Sequence, residues 1–143
     1  MRLLIVIPFI ILQIFHLNVE KKSKMDLICN KWSLSQIDGK VITLYSTDVD
    51  YKEIYVFNRN NTFSYFDFKG AYNQGKGIWE YNKDSTRLGF CFSKLNNEIL
   101  NCKKIEHKWY ILELTENKLR VGIQGKDNFK QFVYIPYLGK VIK

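Results

Sequence analysis

From about residue 26 onward, β-branched and aromatic residues recur with a period of two in short runs, and Asn, Gly, Asp and Lys separate the runs at a spacing of roughly 8 to 12 residues. Alternating side chains give a strand one apolar and one polar face, so each run reads as a strand buried on one side. The candidate strands are 29–37, 40–45, 52–58, 62–68, 76–82, 86–94, 98–105, 108–115, 118–125 and 129–136. No long 3.6-period segment separates them, and the 143 residues leave room for one core. An open sheet of this many strands would carry unpaired edges and an uncovered apolar face. The sequence therefore predicts an all-β fold: a single antiparallel up-and-down β-barrel of about 8–10 strands, built from sequential hairpins.

The turns fix the register, because a slip of one residue moves every side chain to the other face. Between Phe57 and Phe63, a three-residue loop from Arg59 to Asn61 places a left-handed residue at Asn61, a position Asn tolerates well. That register sets Phe57 opposite Phe63 and Tyr55 opposite Tyr65, with all four rings on one face. Near the C-terminus, pairing Leu114 with Leu119 carries Leu112 opposite Val121 and Tyr110 opposite Ile123, and leaves Glu113 and Arg120 outside.

The N-terminus has a different character. After Met1 and Arg2, residues 3–17 form an apolar stretch interrupted by Pro8, Gln13 and His16. As a helix it would cover about 22 Å of a hydrocarbon core about 30 Å thick, which is short for a span and suited to the apolar region of an export signal. No Ala-x-Ala-like cleavage site follows. Residues 1–25 are expected to be a signal peptide or an uncleaved N-terminal anchor, with the barrel domain at 26–143 and an exported location: periplasmic, cell envelope or secreted.

The chain carries 22 Lys+Arg against 14 Asp+Glu, a formal charge of +8. Its lysines are spread singly, without the aromatic-interleaved basic groove that single-stranded nucleic acid favours, so no nucleic-acid partner is expected. The densest group, Lys21, Lys22 and Lys24, follows the apolar segment, which keeps association with an anionic membrane surface open. Two His residues, His16 and His107, are too few for a multi-His zinc site. His107 reads as an exposed turn residue, and no general acid and base stand out among the carboxylates. Phosphate-binding loop, dinucleotide and nucleophile-elbow patterns are absent. Neither an enzyme nor a cofactor or metal is expected.

Asn30-Lys31-Trp32 on the first strand, Val56-Phe57 before the Asn-Asn turn, Thr62-Phe63 after it, Gly77-Ile78-Trp79-Glu80-Tyr81, Leu112-Glu113-Leu114 and Lys118-Leu119-Arg120-Val121 form an ordered set. In these the chain resembles the bacterial lipocalin-like domain family of small exported proteins, over roughly residues 29–136. The resemblance implies a barrel with an apolar ligand. It also implies structural Trp32 and Trp79 at a closed end, and either a guanidinium of Arg120 laid over a Trp at the base or a plain surface Arg.

Two functional readings stand. The first is a small apolar or amphipathic ligand held against Tyr55, Phe57, Phe63, Tyr65, Tyr81 and Phe90. The first four share a face by hairpin register, and the last two lie on apolar strand faces. The second is a barrel filled by its own rings, acting through its outer surface as an envelope interaction module or inhibitor, as 22 aromatics allow (Phe 10, Tyr 9, Trp 3). The oligomeric state is not readable. Of three cysteines, Cys91 and Cys102 are equally distant from an Asn96-Asn97 turn and thus opposite one another in that register; a cross-strand disulfide or two separate thiols both fit.

Overall fold

In the computed structural model, which describes residues 21–42, 53–69 and 71–139, the period-two runs become strands and the segment before them one short helix. The helix, α1, is Lys24–Ile28. The strands among the described residues are β1 Lys31–Ile37, β2 Lys40–Val41, β3 Glu53–Phe57, β4 Thr62–Lys69, β5 Ala71–Tyr81, β6 Arg87–Leu95, β7 Glu98–Ile99, β8 His107–Leu114, β9 Leu119–Gln124 and β10 Phe129–Pro136. All pairings are antiparallel. The order β10-β9-β8-β6-β5-β4-β3-β1, closed by β1 pairing with β10, makes an eight-stranded up-and-down ring, with the two-residue strands β2 and β7 appended to β1 and β6.

The β3–β4 hairpin has Phe57 opposite Phe63 and Tyr55 opposite Tyr65, and Asn61 occupies the left-handed position with φ 62°. The β8–β9 hairpin departs from the expected register. Leu114 pairs with Leu119 and Glu113 with Arg120, but a bulge between Ile111 and Glu113 then places Ile111 opposite Val121 and Tyr110 opposite Gly122. One extra residue reverses the faces beyond it. Trp109 is buried, whereas Leu112 and Tyr110, expected inside, are exposed.

Three other expectations need correction. The run 98–105 is a strand only at Glu98–Ile99, because the chain leaves the ladder to lie on the outer face of β6, where Ile105 covers Gly89. The strand expected at 76–82 begins at Ala71. Gly75 and Gly77, which resemble turn residues in sequence, lie inside it for close packing: a Cβ on Gly75 would stand 2.6 Å from a Phe92 ring carbon, and one on Gly77 would run into the Cys91 carbonyl. The strand expected from residue 29 starts at Lys31, preceded by α1. Of the run 40–45, Lys40–Val41 is strand, while residues 43–45, like 1–20, lie outside the described residues.

The core follows from the alternation. Trp32, Tyr55, Phe57, Phe63, Trp79, Leu88, Phe90, Trp109, Leu119, Val121 and Tyr134 are buried and mutually packed inside the ring, with Ile28 of α1 joining them from below.

Candidate functional site

One end of the barrel is closed by α1. Ser23 caps the helix: its Oγ accepts from the Asp26 N–H at 3.1 Å, and its own N–H donates to the Asp26 carboxylate at 3.1 Å. These bonds, with the Arg59 guanidinium paired to the same carboxylate, hold the Asp26 pKa down at about 2. Three ring groups tie the helix and turns across the base. The Trp32 indole N–H donates to the Ile28 carbonyl at 3.0 Å, the Trp79 indole N–H to the Asn58 carbonyl at 3.0 Å, and the Tyr81 hydroxyl to the Lys24 carbonyl at 3.0 Å. Burial pushes the Tyr81 phenol and the half-buried Cys29 thiol above their ordinary pKa values. Cys29 is a free thiol that packs against the core.

Above the base the interior is solid with rings. Phe57 meets Trp79 edge-on at 5.6 Å between centroids, Phe63 meets Phe90 at 5.3 Å, and Tyr55 meets Trp109 at 4.8 Å. Phe57 and Phe63 are 2% and 1% exposed, so they belong to the packed core.

Among the described residues, the other end is open. β6 and β8 pair only from Arg87–Tyr110 to Phe90–His107, and beyond Phe90 β6 turns to β7. The gap is a cleft of about 950 Å³ lined by the apolar and ring groups of Tyr55, Phe90, Phe92, Trp109, Ile123, Phe132 and Tyr134 and by the polar groups of Glu53, Lys104, Glu106, His107, Lys108 and Gln124. The His107 imidazole stacks on Phe90 at 5.1 Å and meets Phe92 edge-on at 5.6 Å. Trp109 stacks on Tyr134 at 5.3 Å, and the Tyr134 hydroxyl donates to the Glu53 carboxylate at 2.8 Å. Burial, then the neighbouring Glu53 charge, pushes the Tyr134 phenol well above its ordinary pKa, which keeps it a proton donor. One rim of the cleft is the stretch Lys104 to Glu106, held to β6 by the Cys91–Cys102 disulfide, whose Cα atoms are 5.7 Å apart, and by the Glu106 N–H on the Phe90 carbonyl at 3.3 Å. The arrangement offers ring and apolar walls, the buried Tyr134 phenol bonded to the Glu53 carboxylate, and a charged rim of Lys104, Glu106 and Lys108. Among the described residues no cluster of three or more His, Cys, Asp or Glu side chains is placed to hold a metal ion.

The six residues proposed from sequence for ligand contact separate by height. Tyr55 and Phe90 line the cleft, and Tyr65 stands near it, edge-on to Phe92 at 5.7 Å. Phe57 and Phe63 lie below, in the packed core. Tyr81 is at the opposite, closed end, bonded to α1, so it is not a cleft residue. Trp32 and Trp79 are buried at that same end. Arg120 points outward and pairs with Glu113, its Nε 3.5 Å from the carboxylate. His107 is the first residue of β8 at the cleft edge, not part of a turn. Sequence reading missed Glu53, Phe92, Trp109, Phe132 and Tyr134 as cleft residues. Phe92 and Trp109 shared the aromatic and period-two signal of those chosen, but nothing in the sequence gave their height in the barrel.

No protein-family model matches the chain, and no curated protein matches it. Among solved structures, a lipocalin-like protein from Bacteroides uniformis ATCC 8492 is similar with a TM-score of 0.51 and 16% identity, over 77% of this chain and 98% of that one. Japanin from Rhipicephalus appendiculatus, in a structure bound to cholesterol, is similar with a TM-score of 0.48 and 12% identity, over 80% of this chain and 79% of that one. The closed eight-stranded up-and-down ring is a lipocalin-like fold.

Proposed function

We propose that this protein is an exported carrier or sensor that binds one small apolar or amphipathic molecule in the open end of its barrel, without catalysing a reaction on it. The cleft of about 950 Å³ carries the reading, since it lies above a solid core and is walled by Phe90, Phe92, Trp109, Ile123 and Phe132. Concave, mostly apolar sites with a few fixed polar groups are the usual form of small-molecule sites. Burying apolar surface there contributes about 25 cal/mol per Å², and the Tyr134–Glu53 pair orients a polar end. Export rests on residues 3–17, read as part of a leader or retained anchor that ends before the Ser23 cap of α1.

A second reading is favoured by the ring packing from Trp79 up to Tyr55, which fills the lower barrel. In it the whole interior is structural, and the outer surface serves as an envelope interaction module or inhibitor.

Native mass spectrometry of the mature protein from its host, together with a panel of fluorescent fatty-acid and sterol probes at micromolar concentration, separates the two. The carrier reading predicts a retained small molecule or saturable uptake of at least one probe. A bare protein that takes up none leaves only the surface module.

A further inference from the structure

The described chain begins at the closed base of the barrel. Helix α1 lies across that base, tied to it by the Tyr81 and Trp32 bonds, and Lys22 pairs with Glu116 of the β8–β9 turn at 2.9 Å. Only Asn18, Val19 and Glu20 separate Leu17 from Lys21. Since an extended chain spans at most about 3.6 Å per residue, the base stands within roughly 15 Å of the end of the apolar segment.

The same end is rich in cations. Lys21, Lys22 and Lys24 on the approach to and first turn of α1, Lys31 at the start of β1, Lys83 in the β5–β6 turn and Lys118 in the β8–β9 turn are all exposed in whole or part. Against these six lysines stand Glu116, paired with Lys22, Glu113, paired with Lys118 and Arg120, and Asp84; Asp26 is matched by Arg59, so Lys21, Lys24, Lys31 and Lys83 carry the excess. At the mouth the lysines are interleaved with Glu98, Glu106 and Asp127.

We infer that the base is a docking surface for an anionic lipid bilayer, which holds the barrel with its open end turned away from the membrane. Each lysine close to an anionic surface adds attraction, and a basic patch beside an apolar segment too short to span supplies the second signal that stable anchoring requires. The exposed ion pair Lys22–Glu116 does not oppose this, because such pairs contribute little and open readily. The inference does not depend on what the cleft binds.

Co-sedimentation of the full chain with vesicles tests it, using phosphatidylcholine alone against a 3:1 mixture with phosphatidylglycerol, at low and high salt. Stronger binding to the anionic vesicles by about tenfold or more, lost at high salt, is expected. The triple variant K21E/K31E/K83E, altered only at exposed base positions, should fall to the level seen on neutral vesicles. The variant K40E/K94E/K126E, with the same charge change at the other end, should keep most of the preference. Circular dichroism melts confirm that both variants fold. Equal partition of the unaltered chain onto both vesicles overturns the inference, and so does an equal loss in the two variants, which would mean that net charge alone, without a facing surface, drives binding.

Discussion

The Tyr134 hydroxyl donates to the Glu53 carboxylate across 2.8 Å, joining β10 to β3 over the intervening β1. Both residues border the cleft, and the Tyr134 ring stacks on Trp109, so this bond lies where the solid core gives way to open space.

Tyr134 should give the protein an alkaline limit. Its pKa is raised in the folded state, by burial first and by Glu53 second, while in the unfolded chain it titrates near 10. Above that value the unfolded chain loses the proton and the folded one keeps it, so stability is full below pH 10 and falls as pH rises further. Melting temperatures of the native protein and Tyr134→Phe from pH 8 to 11 should converge at the alkaline end. Parallel curves would show that another group sets the limit.

Phe57 and Phe92 should behave differently when truncated. Phe57 is 2% exposed and packed among Phe63, Trp79 and Trp109, so Phe57→Ala leaves a cavity and costs about 3 to 5 kcal/mol. Phe92 is only partly buried and borders the cleft. Phe92→Ala should cost clearly less in a urea titration and change apolar probe uptake more. A larger stability loss for Phe92→Ala would place the solid part of the barrel at the wrong end.

The disulfide closes a short loop, with the two cysteines 11 residues apart. On loop-entropy grounds Cys102→Ser should cost about 2 to 3 kcal/mol and free the stretch from Lys104 to Glu106 that edges the cleft. Non-reduced peptide mapping should recover one Cys91–Cys102 linked mass and Cys29 as the alkylatable thiol. Cys29 should react slowly, since burial raises its pKa.

Asp26 contributes on the acid side. Its pKa is lowered from 3.8 to about 2 by the Ser23 hydrogen bonds and Arg59. The unfolded chain takes up the proton first as pH falls, so the stabilisation is present above about 3.8 and is lost as pH drops towards 2. Asp26→Asn should flatten the melting curve between pH 4 and 2 and leave neutral pH less affected by titration. An unchanged acid limb would mean that other carboxylates control it.

How much of this the sequence carried depends on what each residue reports. The β3–β4 hairpin was legible because Asn60 and Asn61 fix both the turn and its register, so Tyr55, Phe57, Phe63 and Tyr65 fell on the inner face. The β8–β9 hairpin was not, because Trp109-Tyr110-Ile111-Leu112 is apolar at every position, and alternation cannot reveal a bulge in a run without polar residues. The helix α1 did have a signal, the Ser23-x-x-Asp26 capping pattern, but too few periodic residues follow it to show a helix. The site was least legible. Period two reports which face a residue takes, not its height along the barrel axis, so Tyr81 read like Tyr55 although the two lie at opposite ends.

Because β1 and β10 are neighbours, the ring is sealed by the two ends of its own strand sequence, with Trp32 opposite Pro136 and the Tyr137 N–H on the Lys31 carbonyl at 2.9 Å. Every other joint is a local hairpin or a short crossing, but this one must gather nearly the whole domain before it forms, at a loop-closure entropy of about 4 kcal/mol. The seam should therefore be the late event in folding, and until it closes β1 and β10 each present an open edge to other chains. It also places the beginning and end of the barrel side by side, so linking them and cutting at the Asn96-Asn97 turn would yield a rearranged chain with every strand still between its original neighbours.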